Sequence, residues 1–412
     1  MLSLWRLVSI VQTDGNSFST RRYPMLIGSP ELLAEERWVL DQVEELRRRL
    51  SSQVGEARRW VGLLRRVSFA RAIQGSNSIE GYLVTLDDAV AAAAEEEPLE
   101  AGRETWAAIT GYRDAMTYVL QLADDRHCQI NEALIRSLHY MMLRYDLDKS
   151  PGRWRAGTIY VRNDQSGQIV YEAPDAGEVP ALMSEIVQSL AEPSDTPAMV
   201  RAAMAHLNLV MVHPFRDGNG RMARCLQTLV LAREGVLSPH FCSIEEYLGR
   251  NTLDYYRVLG EVGGGRWQPD RDARSWIRFA LTAHHRQAST LLRRARDSEL
   301  RWAELERLAG TLGLPDRSIG PLFNASLSLR LRNASYRAMA DVAELVASRD
   351  LRALVEAGLL EPHGEKRGRF YTRSAGLAAI DQEVRRARSP RSDEDPFQAA
   401  AEALRPASRG LA

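Results

Sequence analysis

The sequence predicts a mostly helical protein, with one small β-hairpin set among the helices and a short helix–helix–ribbon module towards its C-terminal end. Three observations carry this. Apolar residues recur at three- and four-residue steps over most of the chain. One stretch, 158–171, turns β-rich on either side of Asn163-Asp164-Gln165-Ser166-Gly167, a hairpin signature. Residues 339–373 read as two short helices followed by two short β-rich runs.

Taken in order, residues 31–66 are helical, with Leu32, Leu33, Val39, Leu40, Val43, Leu46 and Leu50 on one face. A second charged helix at about 60–72 leads into Gly75-Ser76-Asn77-Ser78-Ile79-Glu80-Gly81, where Gly81 is a natural stop. Residues 85–94 are helical, and Glu95 to Glu97 before Pro98 read as a solvated acidic loop. Helices follow at 103–122 and 131–143, and then the hairpin. Helical periodicity resumes at Val179 and again after Thr196-Pro197, a cap with proline beside it. That helix ends near Val212 at a glycine-rich loop, and another runs from about 220 to 234 with Gly235 as its stop. Residues 251–262 and 273–300 form further helices, separated by Gly263-Gly264-Gly265. Beyond about Arg385 the chain is rich in Ser, Pro, Arg and Asp and is expected to be mobile.

Composition narrows the class. With 412 residues, 45% hydrophobic and 26% charged, the chain has the make-up of two or three packed units, not of a disordered or fibrous protein. Its 54 basic residues match its 54 acidic ones, so no overall field draws it to nucleic acid or an anionic membrane. Cys128, Cys225 and Cys242 are odd in number and lie in no close pair, which argues against a disulfide framework or a CxxC zinc site and for a reducing cytoplasm. No run of 18 apolar residues exists to span a membrane. The opening eleven residues lack a basic n-region and a cleavage site, so they are not read as a secretory signal. Residues 12–25 read as an irregular leader, and Met25 is an alternative to Met1 as the start.

The chemistry concentrates in His213-Pro214-Phe215-Arg216-Asp217-Gly218-Asn219-Gly220-Arg221-Met222-Ala223-Arg224. Gly218 and Gly220 permit a loop that turns its N–H groups to one point where a helix starts, and the helix adds partial positive charge there. Arg221 and Arg224, three apart, can reach one polyphosphate, and Asp217 offers the hard oxygen that Mg²⁺ prefers. His213, at the loop's edge, is the group suited to take a proton near pH 7 from a hydroxyl nucleophile. Phe215 is expected to anchor the loop in the core.

The pattern His213-x-Phe215-x-Asp217-Gly218-Asn219-Gly220-Arg221-x-x-Arg224 resembles the signature of Fic-domain proteins, which transfer AMP from ATP to a hydroxyl of a target protein. The resemblance implies a Fic-type helical bundle over about 31–290, with ATP and Mg²⁺ as ligands. It makes His213 the base, Asp217 the metal ligand, and Gly218, Asn219 and Gly220 phosphate contacts. Arg221 would face the β-phosphate and Arg224 the γ-phosphate. Gly220 stands where the related Doc kinase has Lys, which favours nucleotidyl over phosphoryl transfer. Ser76-x-x-x-Glu80-Gly81 resembles the family's inhibitory motif, and implies that Glu80, with Ser76 on the same helix face, occupies Arg224 and holds basal activity low. The hairpin resembles the Fic flap, whose edge strand can hold a target segment by backbone pairing. Ile159, Tyr160, Val161 and Arg162 would lie over the nucleotide. Asn251 resembles a contact near adenine, although a helix cap explains it too.

The reading divides the chain into a leader (1–30), a helical region with the inhibitory helix (31–100), a catalytic domain (101–300), a winged-helix-like module (301–385) and a flexible tail (386–412). Helix, helix, ribbon is the winged-helix order. It supports an alternative, a DNA-binding regulator with Arg349, Arg352, Lys366, Arg367, Arg369 and Arg373 as a basic face. A second alternative keeps the site but removes AMP from a modified protein, with Glu80 helping to activate water, or moves another phosphate-containing group. The partners implied are a target protein with a hydroxyl side chain, the chain itself as a target, and a second copy in a homodimer. His206 and His284-His285 lack partners at metal-ligand spacing and read as structural or surface histidines.

Overall fold

A computed structural model describes residues 26–55, 58–125, 127–162, 167–236, 243–365, 368–388 and 395–405, together with the backbone of residues 9–12. The Met1 and Met25 starts, Cys242, the hairpin tip 163–166, Lys366 and Arg367 lie outside the described residues. Among the described residues no helix is long and apolar enough to cross a membrane.

The part expected to be an irregular leader contains a strand, β1 (Ser9–Gln12), and an anchored stretch in which Leu26 and Ile27 are buried. The Ile27 N–H donates to Asn208 Oδ1 (2.9 Å) and the Asn208 amide donates back to Ile27 O (3.1 Å). Helices α1 (Ala34–Val54) and α2 (Arg59–Ile79) follow, divided at Gly55 where the periodicity alone suggested continuity. Helix α3 (Leu86–Ala93) is capped by Thr85, whose hydroxyl accepts from Asp88 N–H (3.1 Å). Helices α4 (Arg103–Leu122) and α5 (Glu132–Leu143) pack against each other and lead to the flap, β2 (Thr158–Arg162) and β3 (Ile169–Glu172). β2 is central in an antiparallel sheet of order β1-β2-β3.

Helices α6 (Val179–Ala191), α7 (Ala198–Val212) and α8 (Asn219–Arg233) complete the middle of the bundle, followed by α9 (Glu245–Arg250) and α10 (Thr252–Gly263). α7 and α8 are buried on almost every side, so they are the axis around which the bundle is built. Apolar residues on all faces make such a helix a core element.

Helix α11 (Arg274–Thr311) runs on for eleven residues past the expected end at 300. Trp302, Leu305 and Ala309 extend its apolar face, and no proline or glycine interrupts it before Gly310. Helices α12 (Ile319–Ser326), α13 (Asn333–Ala340) and α14 (Glu344–Glu356) precede the ribbon β4 (Leu360–His363) and β5 (Phe370–Arg373) and helix α15 (Ala375–Arg386). The two short helices expected from Met339 and Arg349 start several residues earlier, because Asp341 takes a left-handed backbone and ends α13 there. Of the expected basic face, Arg349, Arg352 and Arg369 are exposed, whereas Arg373 turns inward to Ser326 O (3.1 Å) and Asp381 (3.4 Å).

Two further expectations are corrected. The acidic loop is an interface and not simply solvated: Glu96 accepts from Arg332 and Ser335 (both 2.6 Å), while Glu95 pairs with Arg113 (2.8 Å). The tail contains helix α16 (Pro396–Ala403), capped by Asp395 and held against α1, with Phe397 beneath the Arg278 guanidinium (4.6 Å).

The apolar interior falls into two clusters. One surrounds α7 and α8, and the other joins the start of α2 and the second half of α11 to α12, α14 and α15. α2 belongs to both: Trp60, Val61 and Leu64 enter the second cluster, and Ile73 and Ile79 the first.

Candidate active site

The site is built at the junction of α7 and α8. His213 ends α7 by taking a left-handed backbone (φ 51°), with its N–H on Leu209 O (2.9 Å). This conformation costs a residue with a Cβ about 1 kcal/mol or more, so the surroundings must impose it. They do so from several sides. The Asn219 side chain accepts from Phe215 N–H and donates to Phe215 O, both at 2.9 Å, which closes the loop on itself. The Phe215 ring is fully buried and stacks on the His139 imidazole with centroids 3.6 Å apart. His139 Nδ1 accepts from Gly152 N–H and its Nε2 reaches Asp217 O, both at 2.8 Å. Because a carbonyl can only accept, Nε2 carries the proton. Arg155 ties the flap to the same loop, donating to His213 O (2.9 Å) and Gly157 O (2.8 Å), while its N–H bonds Pro214 O (2.9 Å).

Gly218 is the N-cap of α8 at φ 74°, a left-handed backbone that favours glycine, and a Cβ there would also press on Leu143 Cδ1 at 2.6 Å. The N–H groups of the first α8 turn, from Asn219 to Arg221, have no partner within the helix and face the loop. With the helix dipole behind them they form an anion site. Arg221 and Arg224 are almost completely buried beside it. Arg221 Nε and Nη1 and Arg224 Nη1 have no hydrogen-bond partner, an arrangement costly enough to call for an anionic ligand.

Glu80, at the end of α2, fills part of this space. Arg224 Nη2 donates to Glu80 Oε1 (2.7 Å) and to Ser76 O (2.9 Å), and Nε donates to Ser76 Oγ (2.8 Å). Burial lowers the Arg224 pKa, but Glu80 beside it more than offsets this and the guanidinium stays charged. Gly220 has no Cβ, and one would strike Glu80 Oε1. The pocket bounded by Glu80, His213, Asp217, Gly220 and Arg224 retains about 50 Å³. A larger, mainly apolar cavity of about 410 Å³ adjoins it under the flap, lined among others by Val161, Tyr171, His213, Tyr256 and Gly260. His213 borders both.

Burial depresses the His213 pKa to about 4, with Arg155 adding to the effect, so the imidazole is neutral at pH 7. Its Nδ1 lies 3.1 Å from Val210 O and must donate to it, which leaves Nε2 as a free acceptor. Burial pushes the Asp217 carboxyl up, but Arg221 and Lys149 outweigh this and hold it below its ordinary value. Lys149 Nζ is 2.9 Å from Asp217 Oδ2 and 3.1 Å from the Tyr82 hydroxyl. Tyr82 in turn lies under the Arg221 guanidinium (5.3 Å).

The structure therefore gathers Ser76, Glu80, His213, Asp217, Gly218, Asn219, Gly220, Arg221 and Arg224, with Val161 on the adjoining wall. Other residues of the sequence reading lie elsewhere. Ile159 is fully buried in the core, where it packs the flap and cannot face a ligand. Tyr160 and Arg162 line neither cavity. Asn251 also lines neither, and its amide donates to Tyr247 O (2.8 Å) instead of capping α10. Tyr82, His139, Lys149 and Arg155 belong to the site without having been singled out. Tyr82 follows the Glu80-Gly81 pair and Arg155 precedes the hairpin, so position alone could have flagged these two. His206 is internal and structural, bonded to Gln227 (2.6 Å) and Tyr255 (2.8 Å).

Among the described residues no three His, Cys, Asp or Glu side chains converge as a complete metal cage. Asp217 alone suits Mg²⁺, which characteristically takes one or two carboxylates together with substrate phosphates. The partnerless Arg221 and Arg224 nitrogens next to it fit the phosphates.

Residues 129–231 match the model of the Fic/DOC family. The chain is 26% identical over 265 residues to the protein adenylyltransferase Fic of Nematostella vectensis, covering 64% of this chain and 58% of that protein. It is 35% identical over 173 residues to that of Culex quinquefasciatus, covering 42% and 31%. The chain thus spans less than two thirds of these curated relatives. Two solved structures share the fold. A Fic family protein from Desulfovibrio desulfuricans G20 matches with TM-score 0.52 and 22% identity, covering 84% of this chain and 98% of that one. A Fic domain containing signaling protein from Bacteroides thetaiotaomicron VPI-5482 matches with TM-score 0.53 and 19% identity, covering 62% and 97%.

Proposed function

Because this chain belongs to the Fic/DOC family through residues 129–231, we propose that it is a protein adenylyltransferase, moving AMP from ATP to a hydroxyl of a target protein and held inactive by Glu80. The observation that carries this reading is the Arg224–Glu80 bond (2.7 Å) inside an anion pocket where Arg221 Nε and Nη1 and Arg224 Nη1 have no acceptor.

In this mechanism the first α8 N–H groups, Arg221 and, once Glu80 has left, Arg224 hold the β- and γ-phosphates. Adenine takes the apolar cavity under the flap, whose 410 Å³ lies in the range of small-molecule sites. Asp217 would hold Mg²⁺, which when bound neutralises phosphate charge and turns the α-phosphorus towards attack. His213 Nε2 accepts the hydroxyl proton as the oxygen attacks the α-phosphorus. The bond from that phosphorus to the bridging oxygen breaks, and pyrophosphate leaves. Asn219, spent on Phe215, contributes its backbone N–H and holds the loop in shape.

A hydrogen bond to a charged group contributes about 1.5–3 kcal/mol, so Glu80 leaves on the order of 1–10% of molecules competent. With α-³²P-ATP, Mg²⁺ and a lysate, Glu80→Gly should raise labelling about tenfold to a hundredfold. Labelling should include the chain itself, and Glu80→Gly/His213→Ala should abolish it. Equal labelling in all three proteins, or none where ATP binds, would remove this reading.

A further inference from the structure

The free edge of the flap is occupied by the chain itself. β1 pairs along β2 with Ser9 opposite Val161, Ile10 opposite Tyr160, Val11 opposite Ile159 and Gln12 opposite Thr158. In an antiparallel ladder the N–H and C=O of one residue point to the same neighbour, and successive residues alternate. Ala173 N–H donates to Ile159 O (3.2 Å), so Ile159 and Val161 serve the β3 side. Thr158 and Tyr160 therefore turn their backbone groups towards β1, which makes Ile10–Tyr160 and Gln12–Thr158 the hydrogen-bonded pairs. These are the groups that an incoming extended peptide needs in order to add a strand.

Position gives this edge its meaning. Val161, opposite Ser9, lines the cavity that His213 borders, so a strand on this edge runs beside the candidate base. The segment is also held at a second point, because Ile27 is bound to Asn208 on α7, the helix that ends at His213. Tethering a ligand through a short stretch of the same chain raises its effective concentration to about the millimolar range. A target in solution competes against that.

We propose that residues 9–12 occupy in cis the edge on which a target's extended segment docks, so that a target must displace them before its hydroxyl reaches His213. This rests on the transferase reading above. Glu80 then governs the nucleotide and β1 governs the target, and the two are released independently.

The test uses the full chain and its Ile10→Pro and Gln12→Pro variants, since proline removes the N–H that pairs with β2. The probe is a fluorescent peptide copying residues 7–14. Both variants should bind it at least about tenfold more tightly than the parent chain, as removal of a tethered competitor requires. Hydrogen exchange at Thr158 and Tyr160 should speed up in the variants and slow again when the peptide is added. In a Glu80→Gly background, Ile10→Pro should further raise labelling of lysate proteins from α-³²P-ATP. Equal peptide affinity in parent and variants, or exchange at these amides that Ile10→Pro leaves unchanged, overturns the proposal. Absence of any label in Glu80→Gly removes the transferase reading instead, and the peptide and exchange results still decide whether β1 covers the edge.

Discussion

Lys149 shows how one side chain can stand in for a ligand. Its ammonium sits 2.9 Å from the oxygen of Asp217 that a divalent cation would need, and Tyr82 holds it there at 3.1 Å. Burial lowers the Lys149 pKa, but Asp217 and Tyr82 raise it further, so the group stays charged. A cation entering the site must displace this ammonium. Lys149→Ala should therefore tighten Mn²⁺ binding in the absence of nucleotide, by about fivefold if the half-buried pair contributes on the order of 1 kcal/mol. Electron paramagnetic resonance titration of free Mn²⁺ reads this directly. Weaker binding in the variant would mean that Lys149 helps to build the metal site instead of competing for it.

Among the elements, α2 carries the control. Its position across α9 is fixed by backbone contact: Gly75 lies against the Glu245 carbonyl, and a Cβ on Gly249 would be 2.7 Å from Gly75 Cα. Neither partner is the far end of a flexible side chain that could swing aside. Gly75→Ala must therefore move α2 as a body, and Ser76 and Glu80, one and five residues on, move with it. The expected result is higher labelling from α-³²P-ATP together with a stability loss of about 1–3 kcal/mol from overpacking. Labelling that stays at the parent level in a folded Gly75→Ala protein would show that Glu80 is positioned by its own contacts and not by the helix crossing.

For the whole molecule, buried neutral histidines set the response to acid. Burial lowers His139, His213 and His284 to about 4 and His206 to about 3. In the unfolded chain each titrates near 6.5. Between about pH 6.5 and 4 the unfolded state binds more protons, so stability is fully present above 6.5 and falls as the pH drops through this window. Each histidine contributes a slope of about 1.4 kcal/mol per pH unit there. Denaturant melts at steps from pH 7.5 to 4.5 should show a steep decline that becomes shallower in His284→Gln. A flat profile over this range would show that these rings become solvated before the chain unfolds.

The sequence by itself determined the helical class, the flap and the chemistry of the loop from His213 to Arg224. Those residues are contiguous, and one turn of helix places His, Asp, Gly and Arg around a single point whatever surrounds them. It also pointed, through the resemblance of its motif, to Glu80 against Arg224, a contact between residues 144 positions apart. Only the tertiary structure decided which groups far apart in sequence complete the site. Lys149 on Asp217, His139 under Phe215, Arg155 across the flap base and β1 on β2 leave no periodic trace, because each is set by where buried surfaces meet. The same cause explains what the sequence misplaced. Ile159 alternates correctly for a strand, but which face of the flap meets the core is fixed by packing. Glu96 and helix α16 read as solvated or mobile, since local composition cannot reveal a partner waiting on another element.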